Sequence, residues 1–186
     1  MQLKTFINFS QTTPEGKVIK KKRVRARSMV ANFVDIIYIY FASATLNINR
    51  YDTGAASAMS YSYLDNQSAL GSAGNQNAGI VVGTGSTAVA IGDYQLDTAI
   101  AHGTGAGQLS HGTTTVTVTP TTDGGKRYFR ISRAFTNSSG GDITINEIGL
   151  VVNYSSYIYL LEHSLSTYTI TNGNVGTVEY EFSITI

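Results

Sequence analysis

The sequence predicts a mainly β protein. Its body is an antiparallel β-sandwich or jelly roll, preceded by a basic N-terminal arm and one helix. From residue 79 onward, at least six β-type runs recur at intervals of about 10–20 residues, separated by Gly- and Asn-rich turns. Charged residues make up only 13% of the chain, which is about half the usual share in a globular protein. Such a polar but weakly charged surface suits a subunit that packs against neighbours.

Residues 1–27 form the predicted basic arm. Seven of the thirteen basic residues lie between positions 17 and 27, whereas residues 28–186 carry five basic and eleven acidic side chains. The stretch 3–9 is a candidate short strand, and apolar residues within the basic run allow a second strand with its charges on the exposed face. We predict that the arm leaves the body and contacts another subunit through Lys17, Lys20, Lys21, Lys22, Arg23, Arg25 and Arg27.

Two alternatives remain for this basic run, namely a solvated surface and a nucleic-acid contact. Nucleic acid is disfavoured because the run is short and no aromatic residues are interleaved with the basic ones to stack on bases. The mildly acidic body of a neighbouring copy is the expected partner, since its charge is opposite to that of the arm.

Residues 28–42 form the predicted helix. Ser28 can cap its start, and Asp35 and Asn32 lie off the apolar stripe. The β-branched and aromatic stretch 36–40 leaves a strand as the alternative for the end of this segment. The residues that fall at helical spacing are Met29, Val30, Phe33, Val34, Ile37 and Phe41.

The same region imitates a signal peptide, with basic residues, an apolar run and then Ala42-Ser43-Ala44. More than twenty residues precede the apolar run, which contains Asp35, so we expect no targeting role. The run is also too short to span a bilayer.

Residues 43–78 form a predicted connecting region rich in Gly, Ser and Ala. Within it, 45–49 is a short strand, 52–54 is a turn and 68–77 is a flexible loop.

Residues 79–186 form the predicted body. The expected strands are 80–82, which is short and buried, 113–119, which is exposed, and 126–135, 143–152, 157–163 and 178–186. We predict that 126–135 and 143–152 form a hairpin around the turn 137–141, and that 172–174 is a further turn. The glycines assigned to turns are Gly83, Gly85, Gly140 and Gly141, the last two with positive φ.

No pattern in the sequence predicts a catalytic, cofactor-binding or metal-binding residue. The chain lacks cysteine, which excludes disulfides and thiolate metal sites. The Gly-rich segments 83–85 and 103–107 lack the Lys-Ser/Thr ending of a phosphate loop, and no Gly-x-Ser-x-Gly elbow occurs. A calcium site at Asp93 and Asp97, or a contact between His102 and His111 across a hairpin, is conceivable. Surface or packing roles are expected for these residues and for His163.

Two segments carry a family resemblance. The run FTNSSGGDITINEIGL, within 127–152, and the pattern GIVVGTG…DYQL…IAHG, within 79–103, resemble segments of small β-rich structural proteins of tailed bacteriophages. A weaker likeness follows at Leu160-Leu161-Glu162-His163. Together these segments span about 79–186, which is over half of the chain, and they contain no catalytic signature.

The resemblance implies a non-enzymatic virion component, such as a capsid decoration, collar, neck, tail or fibre element, assembled in the host cytoplasm. Its expected partners are copies of itself and other virion proteins, with no cofactor, no membrane and no preference for nucleic acid. One alternative is a carbohydrate- or host-receptor-binding module, since Tyr-rich β surfaces and loops suit sugars. A second is an extracellular filament or surface-layer subunit, for which the signal-like segment would be genuine.

Overall fold

The computed structural model describes residues 2–26, 28–64, 67–154 and 157–185. Within these ranges the chain forms ten strands and two helices. The helices are α1 (Ala31–Ala42) and α2 (Tyr61–Leu64). The strands are β1 (Gln2–Thr12), β2 (Val18–Ala26), β3 (Thr45–Asn49), β4 (Ala56–Ser60), β5 (Gly79–Gly83), β6 (Ser110–Asp123), β7 (Lys126–Thr136), β8 (Ile143–Tyr154), β9 (Tyr157–Ile170) and β10 (Val175–Thr185).

The strands pair antiparallel in three sheets. The five-stranded sheet has the order β2-β1-β10-β7-β6, the three-stranded sheet has the order β5-β8-β9, and β3 pairs with β4. The predicted β-rich, antiparallel class is confirmed. The predicted strands 45–49, 80–82 and 113–119 correspond to β3, β5 and part of β6.

The main core lies between the five-stranded and three-stranded sheets. Alternate residues of each strand point inward, as a period of two requires. The five-stranded sheet contributes Ile7, Phe9, Ile131, Phe135, Val178 and Tyr180, and the three-stranded sheet contributes Ile80, Val82, Ile145, Ile148, Leu150 and Tyr168. Two sheets packed face to face in this way form a β-sandwich.

A second layer covers the other face of the three-stranded sheet. Val81, Val151 and Leu160 point away from the sandwich core and pack against Val30 and Leu96. Next to this cluster, the residues of α1, β3 and β4 pack on β8 and β9 through Ile39, Ile48, Met59, Val152 and Tyr159. The outer face of the five-stranded sheet, in contrast, carries mainly charged and polar side chains.

The prediction that residues 1–27 form an arm separate from the body is wrong. All eleven residues of β1 pair with β10, and β2 pairs with β1 to form one edge of the sheet. Ile7 and Phe9 are buried in the sandwich core. The alternation of apolar and polar residues in β1 is that of a strand with one buried face, so this segment belongs to the body. Arg27 lies outside the described residues.

The predicted hairpin over 126–152 is also wrong, although both of its strands exist. β7 belongs to the five-stranded sheet and β8 to the three-stranded sheet, so the connection crosses from one sheet to the other. Asn137 is buried at this crossing, and its Nδ2 donates to the carbonyl oxygens of Gly141 at 2.9 Å and Ile170 at 2.8 Å. These bonds hold the connection against β9 rather than letting β8 fold back on β7.

The predicted helix over 28–42 is confirmed for residues 31–42, and the strand alternative for its end is not adopted. Ser28 does not cap it. Val30 occupies the N-cap position, and no side chain bonds to the first turn. The connecting region 43–78 is more ordered than expected, because it contains the β3–β4 hairpin and α2.

Candidate assembly surface

Helix α1 is apolar on almost every side. Its sequence, ANFVDIIYIYFA, contains a single charged residue, Asp35. A helix of a globular protein normally keeps a polar face toward water, and a helix that is apolar all round is normally buried all round. α1 therefore has more apolar surface than one contact with its own body can cover.

One side of α1 packs against the body. Ile39 is fully buried between Ile48, Met59 and Tyr159. On the same side, seven residues earlier, Asn32 is buried and its Nδ2 donates to the carbonyl oxygen of Asn49 at 3.1 Å. These contacts fix the rotation of the helix about its axis.

The opposite side of α1 faces solvent. Val34, Ile37, Tyr38 and Phe41 follow the spacing i, i+3, i+4, i+7, which places them in one stripe. Their exposed fractions are 63, 40, 52 and 83%. Tyr40 and Tyr61 extend this surface. The Tyr40 ring lies 5.9 Å, between centroids, from each of the Phe41 and Tyr61 rings. We call these six residues the α1 apolar face: Val34, Ile37, Tyr38, Tyr40, Phe41 and Tyr61.

The size of this face lies in the range of apolar patches that often have a function. A fully covered aromatic side chain buries about 150–250 Å². At exposures of 39–83%, its four aromatic residues leave about 450 Å² of accessible surface before the aliphatic ones are added. Exposed apolar patches of about 300–600 Å² on monomers often mark interaction sites.

The sequence predicted the helical spacing of this stripe but not its direction. Val30 is buried, as expected of an apolar position, whereas Val34, Ile37 and Phe41 point to solvent. Asn32, which lies off the apolar stripe, points inward instead. No pattern in the sequence predicted that the tyrosines would be exposed on this face. The signal that could have found them is the near absence of charge from a twelve-residue helix.

The basic residues of β2 are engaged mainly by their own chain. Lys22 Nζ donates to the carbonyl oxygen of Thr167 at 2.8 Å, and Lys20 Nζ lies 4.6 Å from the centroid of the Tyr168 ring. Arg23 pairs with Glu181 at 3.0 Å. These contacts offset the mutual repulsion of the cations, so that repulsion gives no reason to expect a neighbouring subunit. Among the described residues, Lys17, Lys21 and Arg25 are exposed and have no ion pair.

Glu147 is a buried carboxylate that organises the loop after β5. Its Oε1 accepts from the backbone N–H of Gly85 at 2.9 Å and of Thr98 at 2.7 Å, and its Oε2 accepts from that of Asp97 at 2.8 Å. His163 Nε2 lies 3.1 Å from Oε2. Burial pushes the pKa of Glu147 upward, but these donors together outweigh burial and hold the pKa below its ordinary value.

His163 bridges this carboxylate to a second one. Its Nδ1 lies 2.9 Å from Asp93 Oδ2, so both ring nitrogens are engaged. Burial alone would lower the pKa of His163, but the bonds to Glu147 and Asp93 raise it. An imidazolium held between two carboxylates has no free nitrogen to act as a base. The arrangement therefore fits a structural ion triad.

Gly83 and Gly85 are required by this triad rather than by a turn, which corrects the prediction. Gly83 ends β5, and neither residue has positive φ. A Cβ on Gly83 would clash with Glu147 Oε1 and with the carbonyl oxygen of Thr98, and a Cβ on Gly85 would clash with Glu147 and Asp97. Glycine lets the backbone approach the buried carboxylate.

His102 and His111 do meet, as the sequence suggested they could. The His111 backbone N–H donates to His102 Nδ1 at 3.0 Å, and the ring centroids are 5.6 Å apart. Burial, and to a smaller extent the nearby charge of Arg133, lowers the pKa of His111 to about 4. The Arg133 guanidinium is itself buried and donates to five carbonyl oxygens, those of Ser72, Asn75, Ala78, Ile80 and Gly112. This cluster holds the loop before β5 in place.

Asp93 and Asp97 line the same cavity, but their carboxylates bond different partners. Asp93 contacts His163 and the backbone N–H of Ala90, whereas Asp97 Oδ2 accepts from Thr87 Oγ1 at 2.8 Å. Among the residues that the structure describes, no group of three or more His, Asp or Glu side chains could hold a metal ion. In the same ranges, neither helix has the length and hydrophobicity needed to cross a membrane.

Comparison with known proteins adds no family to this description. No protein-family model, no curated protein and no solved structure matches the chain.

Proposed function

We propose that this protein is a non-enzymatic structural subunit that acts by self-assembly, and that it is a component of a tailed virus particle. The observation that carries the assembly role is the α1 apolar face. The folded chain exposes three aromatic and two aliphatic side chains on α1, a helix that carries a single charge, and Tyr61 of α2 beside them. A second copy of the chain that covers this face removes the apolar surface from water.

The size of the face suits a contact that is repeated in a larger assembly. If two copies each bury about 450 Å², the total of about 900 Å² lies below the 1,200–2,000 Å² of a typical stable interface. A single contact of this size gives weak association, because binding must also offset lost translational and rotational freedom. Several such contacts per subunit give a stable particle.

Pairing between copies is compatible with the charge on the helix. The face itself carries no ionisable group other than the tyrosine hydroxyls, and Asp35 is the only charged residue of α1. Two copies can therefore approach without like-charge repulsion. The absence of Lys and Arg from α1 also disfavours an anionic membrane surface as the partner, since interfacial helices usually carry basic residues.

The viral assignment is supported by the resemblance of segments 79–103 and 127–152 to structural proteins of tailed bacteriophages. The absence of catalysis is supported by the state of the buried polar groups. His163 has both ring nitrogens engaged, and Glu147 is bonded by four donors. Neither is free to transfer a proton.

The alternative of a processed extracellular subunit has less support. Cleavage near Thr45 would remove β1, β2 and α1, and with them the core residues Ile7 and Phe9. The rest of the five-stranded sheet would then expose Val178 and Tyr180.

The assembly role is tested by measuring the mass of the full chain in solution by sedimentation velocity over a range of concentrations. Replacing Tyr38 and Phe41 with Ser should shift the protein toward monomer and leave its melting temperature within a few degrees. Leu70→Ser is the matched control, because Leu70 is an exposed apolar residue outside the α1 apolar face. A wild-type chain that stays monomeric at high concentration, or a control with the same effect as the double variant, would contradict the assembly role.

The viral role is tested separately by imaging a particle that contains this chain. We expect α1 to lie at a subunit contact. Finding the chain in the particle with α1 in solvent would contradict the assembly surface but not the viral assignment.

A further inference from the structure

The outer face of the five-stranded sheet contains a polar cleft of about 450 Å³. Four neighbouring strands, β2, β1, β10 and β7, form it. β2 contributes Lys21 and Arg23, β1 contributes Asn8 and Ser10, and β10 contributes the residues at its centre. The remaining lining residues are Phe9, Lys22, Arg130, Thr177, Glu179 and Glu181. This cleft is distinct from the α1 apolar face.

Glu181 anchors the cations at one side of the cleft. Its carboxylate is fully buried and pairs with Arg23 at 3.0 Å, Lys126 at 3.0 Å and Arg130 at 2.7 Å. Burial would raise the pKa of Glu181, but the cations Lys126 and Arg130 outweigh it and lower the pKa. The two arginine side chains are thereby fixed in position. Each keeps guanidinium N–H groups that Glu181 does not use, since a guanidinium has five donors.

Glu179 supplies acceptors in the same cleft. Its Oε1 accepts from Asn8 Nδ2 at 3.2 Å, and its Oε2 accepts from Thr117 Oγ1 at 3.0 Å. Its Oε1 also lies 3.5 Å from Arg130 Nε in an ion pair. Two carboxylate oxygens offer about four acceptor sites, so about one remains after these three contacts. Beside it, Lys21 is exposed and has no ion pair among the described residues. The cleft thus combines an excess of cations with hydrogen-bond acceptors and amide and hydroxyl groups.

We propose that this cleft binds an acidic oligosaccharide, with the sugar carboxylate on Lys21 and Arg23 and the sugar hydroxyls on Glu179, Asn8 and Thr177. A sugar chain presents both anions and hydroxyl donors, and the cleft presents partners for both. Cation excess accounts for recognition of the acidic groups, because Lys21, Arg23 and Arg130 outnumber Glu179 and Glu181. The Lys22 ammonium does not contribute, since it is bonded to the carbonyl oxygen of Thr167.

Nucleic acid fits the same cleft less well. A DNA backbone offers a phosphate at each unit but no hydroxyl donor for the Glu179 carboxylate. The aromatic ring on this face nearest β2, that of Phe6, is covered by the Arg23 guanidinium at 4.1 Å from its centroid. It is therefore not free to stack on a base.

The test is fluorescence anisotropy of the full chain with a labelled oligogalacturonate. A maltooligosaccharide of the same length is the uncharged probe, and a single-stranded oligonucleotide of the same charge is the polyanion probe. We expect the uronate to bind, with Lys21→Gln weakening the affinity about tenfold, as loss of a hydrogen bond to a charged group does. Lys17→Gln is the matched control, since Lys17 is equally exposed but lies in the β1–β2 turn outside the cleft.

Glu179→Gln separates the two polyanions. If sugar hydroxyls donate to this carboxylate, the variant binds the uronate more weakly. If the cleft only senses negative charge, removing a carboxylate strengthens binding of both uronate and oligonucleotide, which overturns the proposal. Absence of uronate binding at millimolar concentration, or an equal effect of Lys17→Gln, also overturns it. None of these variants lies on the α1 apolar face, so either result leaves the assembly role to its own test.

Discussion

Backbone conformation distinguishes two adjacent glycines in the connection between β7 and β8. Gly140 has φ +88°, whereas Gly141 does not have positive φ, and neither has an atom close to the position of an added Cβ. The prediction of positive φ is therefore confirmed for Gly140 and wrong for Gly141. The backbone N–H of Gly140 donates to Asn172 Oδ1 at 3.0 Å, and this bond holds Gly140 in its conformation.

We predict that Gly140→Val destabilises the fold by about 1–3 kcal/mol through backbone strain. Gly141→Val should change the free energy of unfolding by less than about 0.5 kcal/mol, as is usual for exposed sites. Urea denaturation of both variants measures the difference. Equal effects of the two would show that strain at Gly140 is not the cause.

The buried carboxyl of Glu162 couples stability to pH. Its carboxyl is buried in the sandwich and bonds to Ser164 Oγ and the Tyr180 hydroxyl. Burial raises its pKa to about 7, against the lowering effects of these bonds and of the His163 charge. In the unfolded chain the pKa is about 4.3. Between these two values the folded state keeps a proton that the unfolded state releases.

The contribution of Glu162 to the free energy of unfolding should therefore fall by about 3 kcal/mol as the pH rises from about 4 to about 7, and it should stay level at higher pH. Glu162→Gln removes this dependence and should make the protein more stable than wild type at about pH 8. Urea denaturation at several pH values measures it, with the exposed Glu15→Gln as control. Because the lowered pKa of His111 makes stability rise over part of the same pH range, the test is the difference between the two proteins. The same pH dependence in wild type and in Glu162→Gln would contradict the assignment.

The buried polar residues were the least predictable from the sequence. Glu147 stands in an apolar strand, and its partners Gly85, Asp97 and Thr98 lie about fifty to sixty positions away. Nothing in the local pattern indicates that an acidic side chain turns inward, because its stabilisation comes from backbone donors of a distant loop. Gly83 and Gly85 were correctly singled out, but for the wrong reason.

At the scale of elements, alternation located most strands but could not assign their partners. A period of two shows that a run buries one face, and it does not say which strand lies beside it. β1 and β10, at opposite ends of the chain, pair along their whole length. β7 and β8, which are adjacent, do not pair, because the buried Asn137 ties the connection between them to β9.

The placement of β1 and β2 changes the expected result of truncation. A separate arm could be deleted and leave a folded body. Here, deletion of residues 1–27 removes two of the five strands and the core residues Ile7 and Phe9. Replacing a single core residue of this size with Ala already lowers the free energy of unfolding by about 2–5 kcal/mol. We therefore predict that the truncated protein does not fold cooperatively, as circular dichroism during heating would show. A cooperative transition near that of wild type would contradict this placement.

Helix α1 shows why the exposed face of an element can escape prediction. The spacing of its apolar residues is the same whether the stripe faces the body or a partner. Its rotation is set by Asn32 and Ile39, whose contacts with β3 and β9 depend on the tertiary structure. The sequence of α1 contains one charged residue in twelve, so the helix has no polar face. Only this feature indicates that a second side of the helix, besides the one against the body, is apolar.

For the whole molecule, the separation of charge does not imply an electrostatic assembly. The cations of β2 are balanced largely within the subunit, on Glu181, Thr167 and Tyr168. The α1 apolar face, in contrast, lies on a helix that is almost uncharged. Charge and apolar surface therefore belong to different parts of the protein, with ligand binding proposed for the first and assembly for the second.

This separation predicts how salt affects assembly. Raising the salt concentration from about 0.1 M to about 1 M shortens the screening length from about 10 Å to about 3 Å, which weakens contacts between exposed charges. Contacts through the α1 apolar face should persist or strengthen under the same change, because the face has no charge to screen and sulfate-type salts favour apolar burial. Sedimentation velocity at both concentrations measures the oligomer mass, and Lys21→Glu serves as a control that alters charge outside α1. Dissociation to the 19.9 kDa monomer at high salt would instead place the assembly contact on the basic residues of β2.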